Sequence, residues 1–425
     1  RSLSGLGKLA GAPDCPFRIP SQSRTSAYFP APEGAFSCVK ARKEDRKRTN
    51  KHLNRALALN NSTSMYSKST NEDERFMRRC LTLARCGAGQ TAPNPMVGAV
   101  VVHEGRIIGE GYHRAFGGPH AEVHAIAAVR DRDLLRRSTL YVTLEPCSHH
   151  GKTPPCADLI RRSGIPRVVV ACVDPFPKVA GRGIGLLREA GVEVVVGVLE
   201  SEARRMNRFF LTAQTEHRPY VILKWAESAD GFIDETRPDT DRPPVRLSNA
   251  ITTRAVHSLR AEVASILVGS RTALLDDPSL TVRHWSGPSP VRILLDRLGI
   301  VPPTAHFFDG RVPTLLFTSP SNPTTPPNVT RIDVDPTQPV LQQLLQALHE
   351  RQIQSLLVEG GAELHRHFIQ EGLWDEAHVE TAPILLRDGV RAADLHSQED
   401  AVRWSDRTDS TKHLRTVFLH RRQVL

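Results

Sequence analysis

The chain has 425 residues, too many for one ordinary hydrophobic core of roughly 100–200 residues, and this length predicts two folded domains. Its hydrophobic content of 40% is globular, and no apolar run approaches the roughly 18–20 residues of a membrane-spanning helix, which excludes an integral membrane protein. The net charge of +10 is concentrated at one end: residues 1–64 hold 12 Lys or Arg against 4 Asp or Glu, whereas residues 65–425 hold 44 against 42. The near-neutral body lacks the positive field of a nucleic-acid-binding protein.

Residues 1–64 are predicted to form a disordered basic extension, because they contain scattered Pro and Ser and a basic run without sustained periodicity. An organelle transit peptide is the alternative, since the segment is rich in Ser and Arg and poor in acid. The first methionine is Met65, and an amphipathic helix is expected soon after it, over Arg75–Cys86. Seven cysteines, an odd number without a secretory leader pattern, indicate a reducing compartment, so the cytoplasm is expected and a plastid is the alternative.

Apolar strands and amphipathic helices alternate in the first half of the body. Strands are expected at Val97–Val102, Leu140–Leu144, Val168–Val173 and Val192–Val198, and helices at Ala121–Leu135, Cys156–Arg162 and Gly185–Ala190. Such alternation predicts an α/β layer with parallel strands. A polar connector is then expected over Thr212–Arg218.

A second α/β series follows this connector. Its strands and helices are expected at Tyr220–Lys224, Thr252–Glu262, Ser265–Val268, Val291–Leu295 and Thr314–Phe317, with a strand, turn and helix over Leu356–Ile369. A proline-rich loop interrupts this series at Ser319–Pro327. The boundary is therefore expected near residue 216, between a first domain of residues 65–215 and a second of residues 216–425.

Three metal-binding side chains stand at predicted helix and strand ends in the first domain. His120 opens a helix, Cys147 follows a strand, and Cys156 opens the next helix. One imidazole and two thiolates suit Zn²⁺, and three protein ligands leave a fourth position open for water. Two thiolates balance the charge of the metal, so Glu122 is expected to act as the catalytic base and not as a ligand. The predicted reaction is hydrolytic loss of ammonia from an aminated heterocycle.

Two other interpretations of these residues stay open. A single Cys or His is more often a packing residue, and a structural zinc site would need a fourth protein ligand, for which His149 or His150 could serve. The joint pattern favours catalysis, because a structural site explains neither the Glu two positions after His120 nor the Pro before Cys147.

A longer set of motifs surrounds these residues: Pro93-Asn-Pro-Met-Val-Gly98, Gly111-Tyr-His113, His120-Ala-Glu122 and Thr143-Leu-Glu-Pro-Cys-Ser-His-His-Gly-Lys-Thr-Pro-Pro-Cys156. Together they resemble the deaminase half of the bifunctional riboflavin-biosynthesis deaminase/reductase family. Eight residues separate the two cysteines, whereas nucleic-acid and nucleoside deaminases usually carry the short PCxxC spacing. The resemblance implies substrate contacts from Asn94, His113, Lys152 and Asp174, with Lys152 suited to a phosphate.

The second series has no GxGxxG after its first strand, so the Rossmann fingerprint is absent. Its segments Tyr220–Asp230, Thr252–Arg283 and Leu356–Leu364, the last with a Gly-Gly turn, resemble the reductase half of the same family. That resemblance implies a dihydrofolate-reductase-like fold and NADPH as reductant. The implied NADPH contacts are Ala226, Thr272, Asp276, Gly361, Ala362, Glu363, Leu364, His365, Arg366 and His367. The implied contacts to the phosphoribosyl substrate are Arg260, Leu280, Arg283 and Glu359.

The chain departs from the family pattern at Pro244–Ser248, where Ser-x-Trp-Ile-Thr is common, and at Ala229, where Leu is usual.

The resemblance as a whole implies an α/β chain: a cytidine-deaminase-like three-layer domain followed by a dihydrofolate-reductase-like domain, with one Zn²⁺ per chain and NADPH. Its expected substrates are phosphoribosylaminopyrimidines, with no nucleic-acid or membrane partner, and a homo-oligomer is left open. The rival hypotheses are a nucleic-acid-editing deaminase with an appended binding domain, and a fused enzyme in which one domain is catalytically idle.

Overall fold

The computed structural model describes residues 70–148, 154–175, 180–321, 325–326 and 328–423, all within one compact unit, Ser64–Leu425. The basic extension expected over residues 1–64 lies outside the described residues, so its disorder stays a prediction. Among the described residues, every helix is too short or too polar to span a bilayer.

The first half of the described chain is built on a five-stranded sheet. Its strands are β1 (Gly98–His103), β2 (Arg106–Tyr112), β3 (Thr139–Leu144), β4 (Arg167–Cys172) and β5 (Glu193–Val196). The strand order is β2-β1-β3-β4-β5. Strands β3, β4 and β5 are parallel to one another, whereas β1 is antiparallel to both β2 and β3. The expectation of parallel strands is therefore confirmed for β3, β4 and β5 and wrong for β1.

The sequence pattern missed β2 because its RIIGEGY segment lacks a regular apolar alternation. Two of its residues are glycines for a packing reason: a Cβ at Gly109 or Gly111 would lie 2.3–2.5 Å from backbone atoms of the neighbouring helix. Glycine lets that helix approach the strand closely. The close approach brings the start of the helix, with His120 and Glu122, against the sheet.

Six helices accompany this sheet: α1 (Asn71–Arg85), α2 (Ala121–Ala128), α3 (Cys156–Arg162), α4 (Arg182–Glu189), α5 (Glu200–Met206) and α6 (Arg208–Glu216). Apolar residues of α2, α3 and α4 pack on one face of the sheet, and those of α1 and α5 pack on the other. The result is the expected three-layer arrangement.

Two boundaries differ from the sequence-based expectation. The helix predicted to reach Leu135 ends at Ala128, and a 3₁₀ helix, Arg132–Arg137, follows after the capping residue Asp131. The polar connector predicted over Thr212–Arg218 is instead mostly the second half of α6, where Leu211, Thr212 and Ala213 are buried. Buried neighbours, which a polar sequence pattern does not reveal, explain why this segment is helical.

The second half is built on a nine-stranded sheet. Its strands are β6 (Tyr220–Ser228), β8 (Ser265–Gly269), β9 (Val291–Leu295), β10 (Thr314–Thr318), β11 (Thr330–Asp333), β12 (Ser355–Val358), β13 (Glu376–Ala382), β15 (Ala401–Thr408) and β16 (Leu414–His420), and a separate two-stranded ribbon pairs β7 (Phe232–Asp234) with β14 (Val390–Arg391). The strand order is β11-β10-β9-β8-β12-β6-β13-β16-β15. Neighbouring strands from β11 to β13 pair in parallel, whereas β16 is antiparallel to both of its neighbours, β13 and β15.

Helices cover both faces of this sheet. They are α7 (Ala250–Glu262), α8 (Ser270–Asp276), α9 (Val340–Glu350) and α10 (Ala362–Gln370). Apolar side chains of α9 and α10 pack on one face, and those of α7 and α8 on the other. The carboxyl ends of the parallel strands lie at the same end of the sheet, beside α7 and the start of α10. Open α/β sheets place ligand sites at this end.

A buried ion pair ties the start of β6 to β13. Asp375 is fully buried and accepts hydrogen bonds from both terminal nitrogens of Arg218, at 2.6 and 2.7 Å, and from the backbone amide of Val221 at 2.8 Å. Removing Asp375 would leave the buried Arg218 charge without its carboxylate, whereas Asp375 also accepts a hydrogen bond from Arg422 at 3.2 Å. The pair thus fixes where the second sheet begins relative to the preceding helix.

Candidate functional site

The structure brings the three predicted zinc ligands together. His120 caps α2, Cys147 follows β3, and Cys156 is the first residue of α3. The Nδ1 atom of His120 lies 3.5 Å from the Sγ atom of Cys147 and 3.3 Å from that of Cys156. Among the described residues, these three form the metal-competent group, with all ligand atoms within 4.8 Å of one another. The alternative ligands His149 and His150 lie outside the described residues.

The electrostatics of this cluster suit a metal ion. The Cys156 thiol, the neighbouring His120 and the backbone amide of Cys156 lower the pKa of Cys147, although burial acts in the opposite direction. A thiolate is the form of cysteine that binds metal. The donor set of one imidazole and two thiols therefore fits Zn²⁺.

Glu122 lies in the first turn of α2 and is only 3% exposed. Burial raises the pKa of its carboxyl group, while the charge of His120 acts in the opposite direction. A raised pKa makes a carboxylate a stronger base, which suits a group that accepts a proton and returns it. The geometry therefore leaves Glu122 available for proton transfer beside the ligand cluster.

A cavity of about 330 Å³ opens on this cluster. His120, Glu122 and Cys147 line it together with the predicted substrate contacts Asn94, His113 and Asp174. The ring nitrogen Nε2 of His113 lies 3.3 Å from the amide nitrogen of Asn94, and Nδ1 lies 3.1 Å from the carbonyl oxygen of Pro119. Burial lowers the pKa of His113, which favours its neutral form. The fourth predicted contact, Lys152, lies outside the described residues.

The sequence motif that contains Glu145 predicts no role for this residue, but the structure shows one. Its buried carboxylate accepts four backbone hydrogen bonds, from Asp174 (3.3 Å), Gly181 (2.9 Å), Gly183 (2.9 Å) and Ile184 (3.3 Å). Burial raises the pKa of Glu145, and the four amides act against that rise. The side chain thus anchors the start of α4 and the backbone of Asp174 next to the strand end that carries Cys147. No local pattern in the sequence signals these long-range contacts.

The helices that follow the first sheet also complete the cavity. Phe210 and Gln214 of α6 line it, and Gln214 falls within the predicted connector Thr212–Arg218. Asn207, which is 2% exposed, accepts a hydrogen bond from the amide of Met96 and donates one to the carbonyl oxygen of the same residue, each at 2.9 Å. The loop that carries Asn94 is therefore held by a residue from the far end of the domain.

The predicted substrate contacts of the second domain include an ion pair. Arg260 donates two hydrogen bonds to the carboxylate of Glu359, at 2.9 and 2.6 Å, and both side chains are largely buried. Lys224, a residue of β6 that the sequence reasoning gave no role, lies close enough to Glu359 and Glu380 for their charges to oppose the burial that lowers its pKa. The Arg260 guanidinium is thus already paired and is not a free phosphate ligand.

The other two predicted substrate contacts differ from each other in exposure. Leu280 is buried, with a backbone φ of +51°, whereas Arg283 is exposed. The backbone amide of Arg283 donates to Nδ1 of His257 at 3.0 Å, and its guanidinium reaches Thr281 Oγ1 at 3.3 Å. The Arg283 guanidinium is therefore accessible to a ligand that arrives from solvent.

The segment that departs from the family pattern is also structured. Ser248 donates a hydrogen bond of 2.7 Å to one oxygen of Glu380, a buried carboxylate on β13. Among the described residues, the other oxygen of Glu380 has no hydrogen-bond partner. The residue pairing with Ala226 across the strands is Glu380, so this contact lies beside the predicted cofactor site.

The Gly-Gly turn before α10 has two different glycines. A Cβ at Gly360 would lie 2.7 Å from Val268 of β8, so this glycine permits close packing. Gly361 has φ of +55° and lies beside Thr272, whose Oγ1 would be 3.5 Å from a Cβ at that position. The first amides of a helix have no intrahelical acceptor and can bind phosphate. This part of the turn can therefore accept a phosphate group.

The remaining predicted cofactor contacts do not all face the same way. Those directed into the protein are Ala362 and His365, and those exposed are Glu363, Arg366 and His367, with Leu364 half-buried. His365 is 1% exposed, and its Nε2 lies 3.0 Å from the carbonyl oxygen of Val358. The exposed Asp276 forms an ion pair with Arg237. Only part of the predicted set is thus presented to a ligand by its side chains.

Comparison with known proteins agrees with both halves of this structure. Residues 70–172 match the model of the cytidine and deoxycytidylate deaminase zinc-binding region, and residues 219–413 match the RibD C-terminal domain. The chain is 41% identical to "Riboflavin biosynthesis protein RibD" of Aquifex aeolicus over 331 residues (76% of this chain, 90% of the relative). It is 43% identical to the protein of the same name from Bacillus amyloliquefaciens (77% and 88%).

A solved structure extends the comparison to the fold. The diaminohydroxyphosphoribosylaminopyrimidine deaminase/5-amino-6-(5-phosphoribosylamino)uracil reductase of Thermotoga maritima superposes with a TM-score of 0.74 at 37% identity, covering 82% of this chain and 99% of that chain. The predicted fold class and the predicted zinc and NADPH cofactors are confirmed by the family and by the His/Cys/Cys cluster. The chain therefore belongs to the bifunctional deaminase/reductase family of riboflavin biosynthesis.

Proposed function

We propose that this chain performs two successive reactions. The first is hydrolytic deamination of 2,5-diamino-6-(5-phosphoribosylamino)pyrimidin-4(3H)-one, and the second is NADPH-dependent reduction of the ribosyl group of 5-amino-6-(5-phosphoribosylamino)uracil to ribityl. The observation that carries the proposal is the cavity of the first domain, in which the ligand cluster and Glu122 adjoin Asn94, His113 and Asp174. The family relationship supports the second reaction.

In the deamination, His120, Cys147 and Cys156 would hold the zinc, which would supply Lewis acidity to activate a water. The water oxygen bonds to the ring carbon that carries the amino group, and ammonia leaves. Glu122 accepts the proton of the water and delivers it to the departing nitrogen, which its buried position beside the cluster allows. Asn94, His113 and Asp174 orient the substrate, and Lys152 binds its phosphate.

In the reduction, bound NADPH would supply the hydride that C1′ of the ribosyl group accepts. The bond from C1′ to the ring oxygen breaks, and that oxygen takes a proton to become a hydroxyl of the ribityl chain. Residues at the turn, Gly361 with Thr272, bind the cofactor, whereas the exposed Arg283 binds the substrate phosphate. The Arg260–Glu359 pair holds the substrate side of the site in place.

The same proposal includes the cellular location of the enzyme, its partners and its domain boundary. It acts in the cytoplasm on small phosphoribosylaminopyrimidines, without a nucleic-acid or membrane partner, and residue 216 divides its two domains. The near balance of charges over residues 65–425 supports this choice of partners. Whether copies associate is a separate question that sedimentation of the purified chain answers.

The test is to incubate the purified full-length protein with the diaminopyrimidine phosphoribosylamine, with and without NADPH, and to identify the products by mass. Without NADPH, only the deaminated product is expected, with release of ammonia. With NADPH, the ribityl product follows. Absence of ammonia release by the zinc-loaded protein would refute the deaminase assignment, and accumulation of the deaminated product in the presence of NADPH would refute the reductase assignment.

A further inference from the structure

Helix α6 serves both halves of the molecule. The ring of Phe209 lies 5.4 Å from that of Tyr220 and packs with the core of the second sheet. Phe210 and Gln214, four positions apart, instead line the cavity of the first domain. Residues four apart lie on the same face of a helix, so these two side chains form one wall of that cavity. The helix lies between the two matched regions, residues 70–172 and 219–413, and neither match gives it a role.

Gln214 is the polar member of this wall. It is half-buried, and among the described residues its amide has no hydrogen-bond partner, whereas the neighbouring Thr215 donates to the carbonyl oxygen of Leu211 at 3.0 Å. A carboxamide carries two N–H donors and an acceptor oxygen. An amide in a ligand cavity that is paired with no protein group can exchange solvent for a ligand that offers both donors and acceptors.

We propose that Gln214 is a substrate-binding residue of the deaminase that forms a hydrogen bond to the polar edge of the pyrimidine ring. This inference rests on the proposed function, since the diaminopyrimidinone ring carries amino and carbonyl groups side by side. Phe210 supplies the apolar surface next to that hydrogen bond, and a flat ring packs well against an aromatic one. The role differs from that of Glu122, because Gln214 acts in binding and takes no part in proton transfer.

The test compares Gln214→Met with wild type in the full-length, zinc-loaded enzyme. Methionine has a similar length but lacks the amide, so the cavity keeps its shape and loses one hydrogen bond. The KM for deamination is expected to rise about tenfold, with kcat changed less than about threefold, because a ground-state contact is removed. Zinc content, thermal midpoint and NADPH-dependent reduction of pre-deaminated substrate are expected to stay at wild-type values.

The matched control is Gln342→Met, the same substitution at an exposed position of α9, and it is expected to leave every readout unchanged. An unchanged KM in Gln214→Met, or a fall in thermal midpoint that accounts for the lost activity, would overturn the inference. An inactive wild-type enzyme would instead refute the proposed deamination itself, so the two failures are distinguishable.

Discussion

Replacing Glu145 by Gln tests how the protein holds the cysteine that follows it two residues later. The two carboxylate oxygens divide four backbone amides between them, one oxygen accepting from Asp174 and Gly181 and the other from Gly183 and Ile184. Glutamine keeps one acceptor oxygen and places an N–H₂ group against the other two amides. Two hydrogen bonds to a charged group are lost at about 1.5–3 kcal/mol each, which gives a loss of about 3–6 kcal/mol in unfolding free energy. That is a large share of the stability of an ordinary domain.

The assay combines denaturant unfolding with metal analysis. Because Glu145 fixes the backbone beside Cys147, Glu145→Gln is expected to lower zinc occupancy after dialysis as well as stability. The control is Glu193→Gln in the same domain, where the side chain is 63% exposed and contacts Arg167 at 3.2 Å, and where a change below about 0.5 kcal/mol is expected. Equal unfolding midpoints and equal zinc content for Glu145→Gln and wild type would show that the four amides do not depend on the carboxylate.

Three further predictions concern the two reactions and pH. Glu122→Gln should keep its zinc and lose deamination by about 10²–10⁴-fold while still reducing pre-deaminated substrate; ammonia release near wild type would contradict its role. Arg283→Ala should raise the KM for the ribosylamine phosphate by about tenfold or more and leave the KM for NADPH unchanged. Steady-state kinetics with each ligand varied in turn measure the two KM values, and an equal rise in both would contradict the assignment. Burial lowers the pKa of His365 to about 4. The unfolded chain therefore binds a proton at this histidine at a higher pH than the folded chain does, and folding stability is lost as the pH falls from about 6.5 toward 4. In urea melts at pH 7 and pH 5, the stability lost between the two pH values should be smaller for His365→Gln than for wild type.

The sequence predicted those parts of the site that depend on short motifs. His120, Cys147 and Cys156 follow from residue type and from their positions at helix and strand ends, and the structure places them together. Glu122 follows from the same pattern. Each is specified by local chemistry, so local reasoning finds it.

The parts that the sequence did not reveal depend on contacts between distant segments. Asn207 binds Met96, 111 positions away, and nothing near either residue signals that pair. Arg260, an implied substrate contact, forms an ion pair with Glu359, 99 positions later, and the sequence does not signal that pair. A polar residue in a mixed segment can be solvated or paired, and only the tertiary structure distinguishes the two. The same reason explains why the second half of α6 resembled a connector.

The strand order of the second sheet also determines when the two halves can form during synthesis. The five strands of the first sheet lie within Gly98–Val196, so that sheet can close and take up zinc soon after it leaves the ribosome. In contrast, β6 lies between β12 and β13, and its Tyr220 bonds to Glu376, 156 positions later in the chain. At roughly 5–20 residues per second, the ribosome needs about 8–30 s to supply that partner. During this interval the apolar strand Tyr220–Ser228 is made but has neither neighbouring strand, so its backbone and apolar side chains are exposed until β12 and β13 emerge.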